Sequence, residues 1–342
     1  MENLFRKTVA FTDAHFGRNG ASPIALQDNT DFLQWAVDRA LSWGAENCIF
    51  LGDWHDSRHN IRTTVLPHSL AGMELLNSSF KKTYWLSGNH DLPFREKRDG
   101  ASIEFGRNLS NIEFIRDPLT TGNVTLLPWL VGDEYKSIKN INSRYVFGHL
   151  EMPGFLMNAR IIMPDSPTLV KPDQFLNTEY VFSGHYHKRQ KQGKVIYMGA
   201  IMPMNFSDSN DEDRGIMLLD WGKEPIFEAW PDQPLFKEAK LSELIDTPGI
   251  MHPKMTIRTT IDLPLIYEEA QEIRDSLVET YGLRKMELMK QPKDSAELQE
   301  FNDETVVFHT VDQMVIDGLM SIDGTGLSTD KLVAIYRQLT EI

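Results

Sequence analysis

Apolar runs of four or five residues recur along the first two thirds of the chain, and each ends on a small polar cluster. Val9–Thr12 stops at Asp13-Ala14-His15 and Cys48–Leu51 at Gly52-Asp53. Thr83–Ser87 stops at Gly88-Asn89-His90-Asp91, Arg144–Phe147 at Gly148-His149, and Glu179–Ser183 at Gly184-His185-Tyr186-His187. Short apolar runs bounded by Gly, Asp and Asn predict buried strands. Helical patterns lie between the first three. Phe32, Trp35, Ala36, Ala40 and Trp43 share a face over Thr30–Trp43, with Asn29 or Thr30 as cap and Gly44 as stop. Pro67–Asn77 gives a second helix, with its proline at the first turn. Strand–helix–strand–helix–strand predicts an α/β fold with parallel pairing.

Further short strands are expected around Ile112–Ile115, Val124–Leu127, Lys194–Met198 and Ile216–Asp220. Pro93–Arg107 reads as a polar loop with a short helix, and Glu151–Thr178 has no clean period. Pro231, Pro234, Pro248, Gly249 and Pro253 crowd into a boundary. Beyond it Met255, Ile257, Thr259, Ile261 and Leu263 alternate as a strand, Tyr267–Tyr281 is an amphipathic helix closed by Gly282, and Leu283–Met289 is a second strand. Two short amphipathic helices close the chain, one on Val307, Val311, Met314, Val315 and Leu319, the other on Leu332, Ile335, Tyr336 and Leu339. The expected organisation is a domain over 1–230, a small α+β capping domain over 250–290, and a C-terminal helical hairpin over 303–342.

Composition narrows the class. At 342 residues with 41% hydrophobic and 25% charged positions, the chain suits a soluble globular protein. No stretch nears the roughly 20 apolar residues of a membrane span, and the N-terminus lacks a signal-peptide core, so a cytoplasmic setting is expected. Cys48 is the single cysteine, which leaves nitrogen and oxygen as metal ligands. The net charge is −14, but it is uneven. From Lys223 onward 12 basic residues face 23 acidic ones, a balance of −11 against −3 before it. The first part is therefore electrostatically open to a polyanion.

Parallel strands bring their C-terminal ends to one edge of a sheet, where open α/β folds place ligands. Taken singly, each of the five polar ends is a turn. Together they gather Asp, Asn and His in numbers that suit divalent first-row metals. The ligands are too many for one ion, and one carboxylate can bridge two ions at roughly 3.5–4 Å.

Asp-x-His, Gly-Asp-x-x-Asp, Gly-Asn-His-Asp, Gly-His and Gly-His-x-His, in that order over Val9–Asp220, resemble the calcineurin-like metallophosphoesterase family. Within it the chain is most similar to the SbcD-type nucleases of double-strand-break repair and recombination, the phage-encoded subunits above all. The resemblance implies a two-sheet sandwich flanked by helices, and two divalent ions, manganese first with magnesium, iron or zinc as alternatives. It implies Asp13, His15, Asp53 and His187 on one ion, and Asp53, Asn89, His149 and His185 on the other, with Asp53 as the bridge. His90 then faces the scissile phosphate, Asp56 orients its imidazole, and a metal-activated water attacks the phosphodiester. Some SbcD-type nucleases carry His where this chain has Asp56. His55 reads as a solvent-facing or groove-edge residue and Asp91 as a turn-stabilising carboxylate. His59, His68, His252 and His309 read as structural or surface residues.

DNA is the expected substrate. Arg95, Lys97 and Arg98, with Arg107, follow one ligand-bearing end, and Lys188 and Arg189, with Lys191 and Lys194, follow another, where a phosphate backbone would run. The resemblance also implies an SMC-like coiled-coil ATPase as partner, docked on the C-terminal helices, with homodimerisation left open and no membrane. The alternatives are a small-molecule or protein phosphoesterase on the same site, or a non-catalytic scaffold; the intact ligand pattern disfavours the last.

Overall fold

Strand β1 (Lys7–Phe11) buries both faces, Val9 and Phe11 toward one apolar cluster and Ala10 toward another. Strand β2 (Asn47–Phe50) repeats this, with Cys48 and Phe50 opposite Ile49. A strand covered on two sides belongs to a middle layer. The computed structural model shows those layers and describes residues 6–290 apart from 159–160 and 210, together with Ser328 and Lys331. The chain divides into two compact units after Gln291. The helices expected over 303–342 lie outside the described residues.

The remaining elements of the first unit follow in order. The turn α1 (Arg18–Ala21) and helix α2 (Pro23–Trp43) separate β1 from β2, and α3 (Leu66–Ser79) precedes β3 (Lys82–Leu86). Next come β4 (Ile112–Ile115), β5 (Leu119–Thr121), β6 (Val124–Leu127), β7 (Tyr145–His149) and β8 (Tyr180–Gly184). Then follow β9 (Gln190–Gln192), β10 (Val195–Tyr197), β11 (Gly215–Asp220) and β12 (Ile226–Ala229). The last are β13 (Leu235–Lys240), α4 (Leu241–Asp246), β14 (Met255–Ile261), α5 (Tyr267–Tyr281) and β15 (Lys285–Lys290).

Two six-stranded sheets, ordered β12-β11-β1-β2-β3-β4 and β5-β6-β7-β8-β10-β9, form the sandwich. In the first, β1 to β4 pair in parallel and β11 runs antiparallel to β1. In the second, β6, β7, β8 and β10 are parallel. Ile49, Leu51 and Leu86 meet Leu126, Phe147 and Phe182 in the core between the sheets. A second core, with Phe32, Phe50, Trp54, Trp85 and Trp230, lies under α2 and α3. The aperiodic stretch after β7 packs Met152, Phe155, Val170 and Phe175 onto the outer face of the second sheet. The third sheet, β13-β14-β15, is parallel and has its own core around Leu244, Met255, Ile257 and Ala270.

The fold differs from the sequence reading at helix α2, in the proline-rich span and at the sheet edges. Helix α2 starts at Pro23, earlier than expected, and Ser22 Oγ accepts from Ala25 N at 3.2 Å as its cap. Asn29, read as a cap, is buried inside the helix, and its Nδ2 donates to the Ala14 carbonyl at 2.6 Å. The proline-rich span after Trp230 holds β13 and α4, and β13 pairs in parallel with β14. Strands β5, β9 and β12 are short, partly exposed sheet edges, whose sequences carry little apolar signal.

Asp28 ties the third sheet to helix α2. It is buried, takes both guanidinium nitrogens of Arg284 at 2.5 and 2.6 Å, and lies 3.8 Å from the buried Arg18. Removing the shared anion strands the enclosed Arg18. Asp28→Ala is therefore expected to destabilise the fold by about 3–5 kcal/mol, and Arg284→Ala by less, as urea unfolding would measure.

Candidate metal centre

The centre is assembled by loops that leave the parallel strand ends of both sheets. Glycine is required where two of them touch. At Gly52, φ is 103°, and a Cβ there would lie 2.5 Å from Gly88 N. At Gly88 it would lie 2.1 Å from Asp53 Oδ1. Asp91 binds the two loops together. It is fully buried, and its carboxylate accepts from the backbone N–H groups of Asp53 (2.8 Å), Trp54 (2.9 Å), His55 (3.3 Å) and Gly88 (2.9 Å). Burial and the Asp53 charge push this carboxyl up to about 7, while the N–H donors pull it down.

Asp13, His15, Asp53 and His185 all adopt positive φ, at 54°, 47°, 58° and 89°. Their side chains converge. Potential ligand atoms of Asp13, His15 and His187 lie within 4.8 Å of one another, as do those of Asp53, His149 and His185, and those of His15, Asp56 and His90. Asp53 Oδ2 sits between the first two groups, 3.7 Å from His15 Nε2 and 3.4 Å from His149 Nε2. Its Oδ1 accepts from His90 N at 2.7 Å. Asn89 Oδ1 faces His149 Nε2 at 3.2 Å and His185 Nδ1 at 2.8 Å. The two sheets are stitched here, since His149 Nδ1 contacts the Leu51 carbonyl at 2.7 Å and His185 N donates to Asp13 Oδ2 at 3.1 Å.

The electrostatics fit divalent cations. Burial pushes the Asp13 carboxyl up, but contact with His15 and the His149 charge outweigh it and bring it to about 2. Asp53 is held well below the usual carboxylate range, the His149 charge overcoming burial. Burial would lower His15 and His149, but the same carboxylates raise them to about 10 and about 9. His187 goes the other way, to about 4, through burial and the His15 charge. Two enclosed carboxylates thus demand positive charge. Asp13 Oδ1 and both ring nitrogens of His15 are buried without a hydrogen-bond partner, although oxygen and nitrogen donors surround them at 3.5–3.7 Å. That geometry suits a cation drawing the donors in.

His90 meets Asp56 at the main chain, not at the carboxylate. Its Nδ1 meets the main-chain carbonyl of Asp56 at 2.6 Å, while the Asp56 carboxylate turns to His15 Nδ1 at 3.5 Å. Burial lowers the His90 pKa. His55 is not solvent-facing. It is 1% exposed, its ring nitrogens meet Ser69 Oγ and Ser102 Oγ at 2.8 Å each, and burial lowers it to about 4. His68 is a surface residue against Thr30.

The basic residues are less available than their number suggests. Arg98 is 13% exposed, pairs with Glu134 at 2.5 and 2.7 Å, and donates to the Trp129 carbonyl at 2.8 Å, so its position serves the loop. Lys97 pairs with Asp99 at 2.6 Å, Lys188 with Asp211 at 3.7 Å and Arg189 with Asp213 at 3.6 Å. Arg95 pairs with Glu151 at 3.4 Å and lies over the Trp129 ring at 4.9 Å. A cavity of about 420 Å³ opens there, lined by Arg95, Trp129, Tyr135, His149 and Glu151 among others. Trp129 covers His185, ring centroids 5.1 Å apart, and was not anticipated. Its position just beyond β6, in Leu127-Pro128-Trp129, was the available signal, because that is one more strand end.

Asp91→Ala would leave four buried N–H donors without their acceptor. It is expected to cost at least about 3 kcal/mol in chemical denaturation and to lower the divalent metal bound per chain, as elemental analysis of the purified protein would show.

No family model matches the chain. It is 26% identical over 228 residues to exonuclease subunit 1 of enterobacteria phage T4, a match covering 63% of the chain. The chain spans just under two thirds of that curated relative, 64% of its length. Similar solved structures include a dimetal phosphatase from Danio rerio (TM-score 0.41, 13% identity, 65% of this chain and 95% of that one). A nuclease, MPE, from Pseudomonas putida gives a TM-score of 0.28 at 19% identity, over 55% and 66% of the two chains. Yfce, a phosphoesterase from E. coli, gives 0.33 at 16% identity, over 66% and 94%. The chain is thus similar in sequence to a phage exonuclease subunit, and its paired six-stranded sheets form an α/β sandwich.

Proposed function

We propose that the protein is a metal-dependent nuclease that hydrolyses DNA phosphodiesters at a two-ion centre. The observation that carries this reading is the position of Asp53 Oδ2 between His15 and His149. Asp13, His15, Asp53 and His187 hold one ion in this reading, and Asp53, Asn89, His149 and His185 the other. Manganese is the first choice for such a donor set. When bound, the ions neutralise phosphate charge and acidify water. The chain's own residues do the rest. His90 is fixed by the Asp56 carbonyl at Nδ1, which leaves Nε2 for proton work at the leaving oxygen. Arg95 stands on the rim of the cavity that His149 and Glu151 also line, where a phosphate backbone would run.

The similarity to an exonuclease subunit supports nucleic acid over small substrates and supports a multi-subunit setting. The proposed partner is an SMC-like coiled-coil ATPase bound by the C-terminal segment, in an ATP-dependent complex that processes double-strand breaks, with homodimerisation a further possibility. Among the described residues no helix is long and apolar enough to cross a membrane.

Assaying one purified sample on linear DNA, a cyclic nucleotide and a phosphopeptide is expected to show preference for DNA; preference for either small substrate would sink the assignment. Asp53→Ala and His185→Ala are expected to abolish cleavage and lower metal content. His90→Ala should keep the metal and lose roughly 10²–10⁴-fold in kcat. Asp56→Ala should lose much less than His90→Ala, because a main-chain carbonyl survives the substitution.

A further inference from the structure

His149 and His185 face Asn89 with opposite ring nitrogens. His149 turns Nε2 toward Asn89 Oδ1 and Asp53, while its Nδ1 meets the Leu51 carbonyl. His185 turns Nδ1 toward Asn89 Oδ1 at 2.8 Å, which leaves Nε2 pointing outward, 3.4 Å from Glu151 Oε1. A neutral imidazole has one N–H and one lone pair, so the partner of the outer nitrogen decides what the inner one presents. For His149 a main-chain carbonyl takes the outer proton. For His185 the acceptor within reach is a carboxylate, two residues beyond His149 in Gly148-His149-Leu150-Glu151.

Glu151 is itself held in place. The oxygen that faces His185 also accepts from Arg95 Nη2 at 3.4 Å. Arg95 lies on the Trp129 ring, and Trp129 Nε1 donates to the Arg95 carbonyl at 2.9 Å. Trp129 in turn packs against the His185 ring. The carboxylate is about one fifth exposed, shielded enough for the contact to matter. With the proton on Nδ1 instead, His185 would donate to Asn89 Oδ1 and withdraw its lone pair from the centre.

We infer that Glu151 is a positioning residue that fixes His185 as an Nδ1 ligand of the second ion, with Arg95 and Trp129 holding it in register. The inference rests on the two-ion reading above. It is tested by manganese titration calorimetry on the full chain, comparing wild type, Glu151→Met and Glu151→Gln, with thermal unfolding of the metal-free proteins alongside. Methionine keeps the length without an acceptor; glutamine keeps an acceptor oxygen. Wild type is expected to bind two ions. Glu151→Met should weaken one of them by about 10–100-fold and leave the other unchanged, with Glu151→Gln recovering most of the loss. Wild-type affinity for both ions in Glu151→Met would overturn the inference. Equal losses in Met and Gln would too, because the acceptor oxygen would then be irrelevant. Loss of both ions with a lowered metal-free melting temperature would assign Glu151 a merely structural role and also overturn it. A wild-type protein that takes up no manganese would instead defeat the two-ion reading itself.

Discussion

The carboxylate of Asp91 is the constraint on which the centre depends. Loops at strand ends have backbone N–H groups with no ladder partner, and buried donors must find an acceptor. Four of them, from the β2 and β3 ends, find the same enclosed carboxylate. This pins the loop of Asp53 to the loop of Asn89 and His90. The close approach of Gly52 to Gly88 follows, and so does the donation from His90 N to Asp53 Oδ1. The side chains with chemistry are set by one that has none of its own to perform.

Much of this was legible from the chain. The strand ends at Asp13, Asp53, Asn89, His149 and His185 could be read because buried parallel strands produce solid apolar runs, and a run that stops on Gly or Asp marks its own exit. That those ends meet follows from parallel pairing. The start of α2 was hidden because a buried polar residue imitates a cap: Asn29 looks like a helix-end signal and is an enclosed partner of the Ala14 carbonyl. Edge strands such as β9 were hidden for the opposite reason, since Gln190–Gln192 bury almost nothing. The atom by which Asp56 meets His90 was out of reach entirely, because a sequence names side chains and the contact is a main-chain oxygen.

Counting charges misleads in the same way. Arg98 belongs by sequence to a basic cluster beside the centre, yet in the fold it satisfies Glu134 and the Trp129 carbonyl and is nearly enclosed. Arg95, Lys97, Arg98, Lys188 and Arg189 each have a carboxylate within 4 Å. A polyanion arriving at this rim must compete with ion pairs already made. Its attraction therefore depends on how weakly each pair is held, and the long 3.4 Å contact of Arg95 is more easily exchanged than the bidentate grip on Arg98.

The left-handed backbone at Asp13, His15, Asp53 and His185 has a consequence for how the chain tolerates change. Side-chain-bearing residues in that region cost of order 1–3 kcal/mol each, and glycine would occupy the same turns more comfortably. Here the residues that relax the backbone best are those that erase the donors. The protein is held short of its stability optimum at the positions where it meets its ligands. Any search for sturdier variants that ignores function will be drawn first to these turns, and will find them by dismantling the centre.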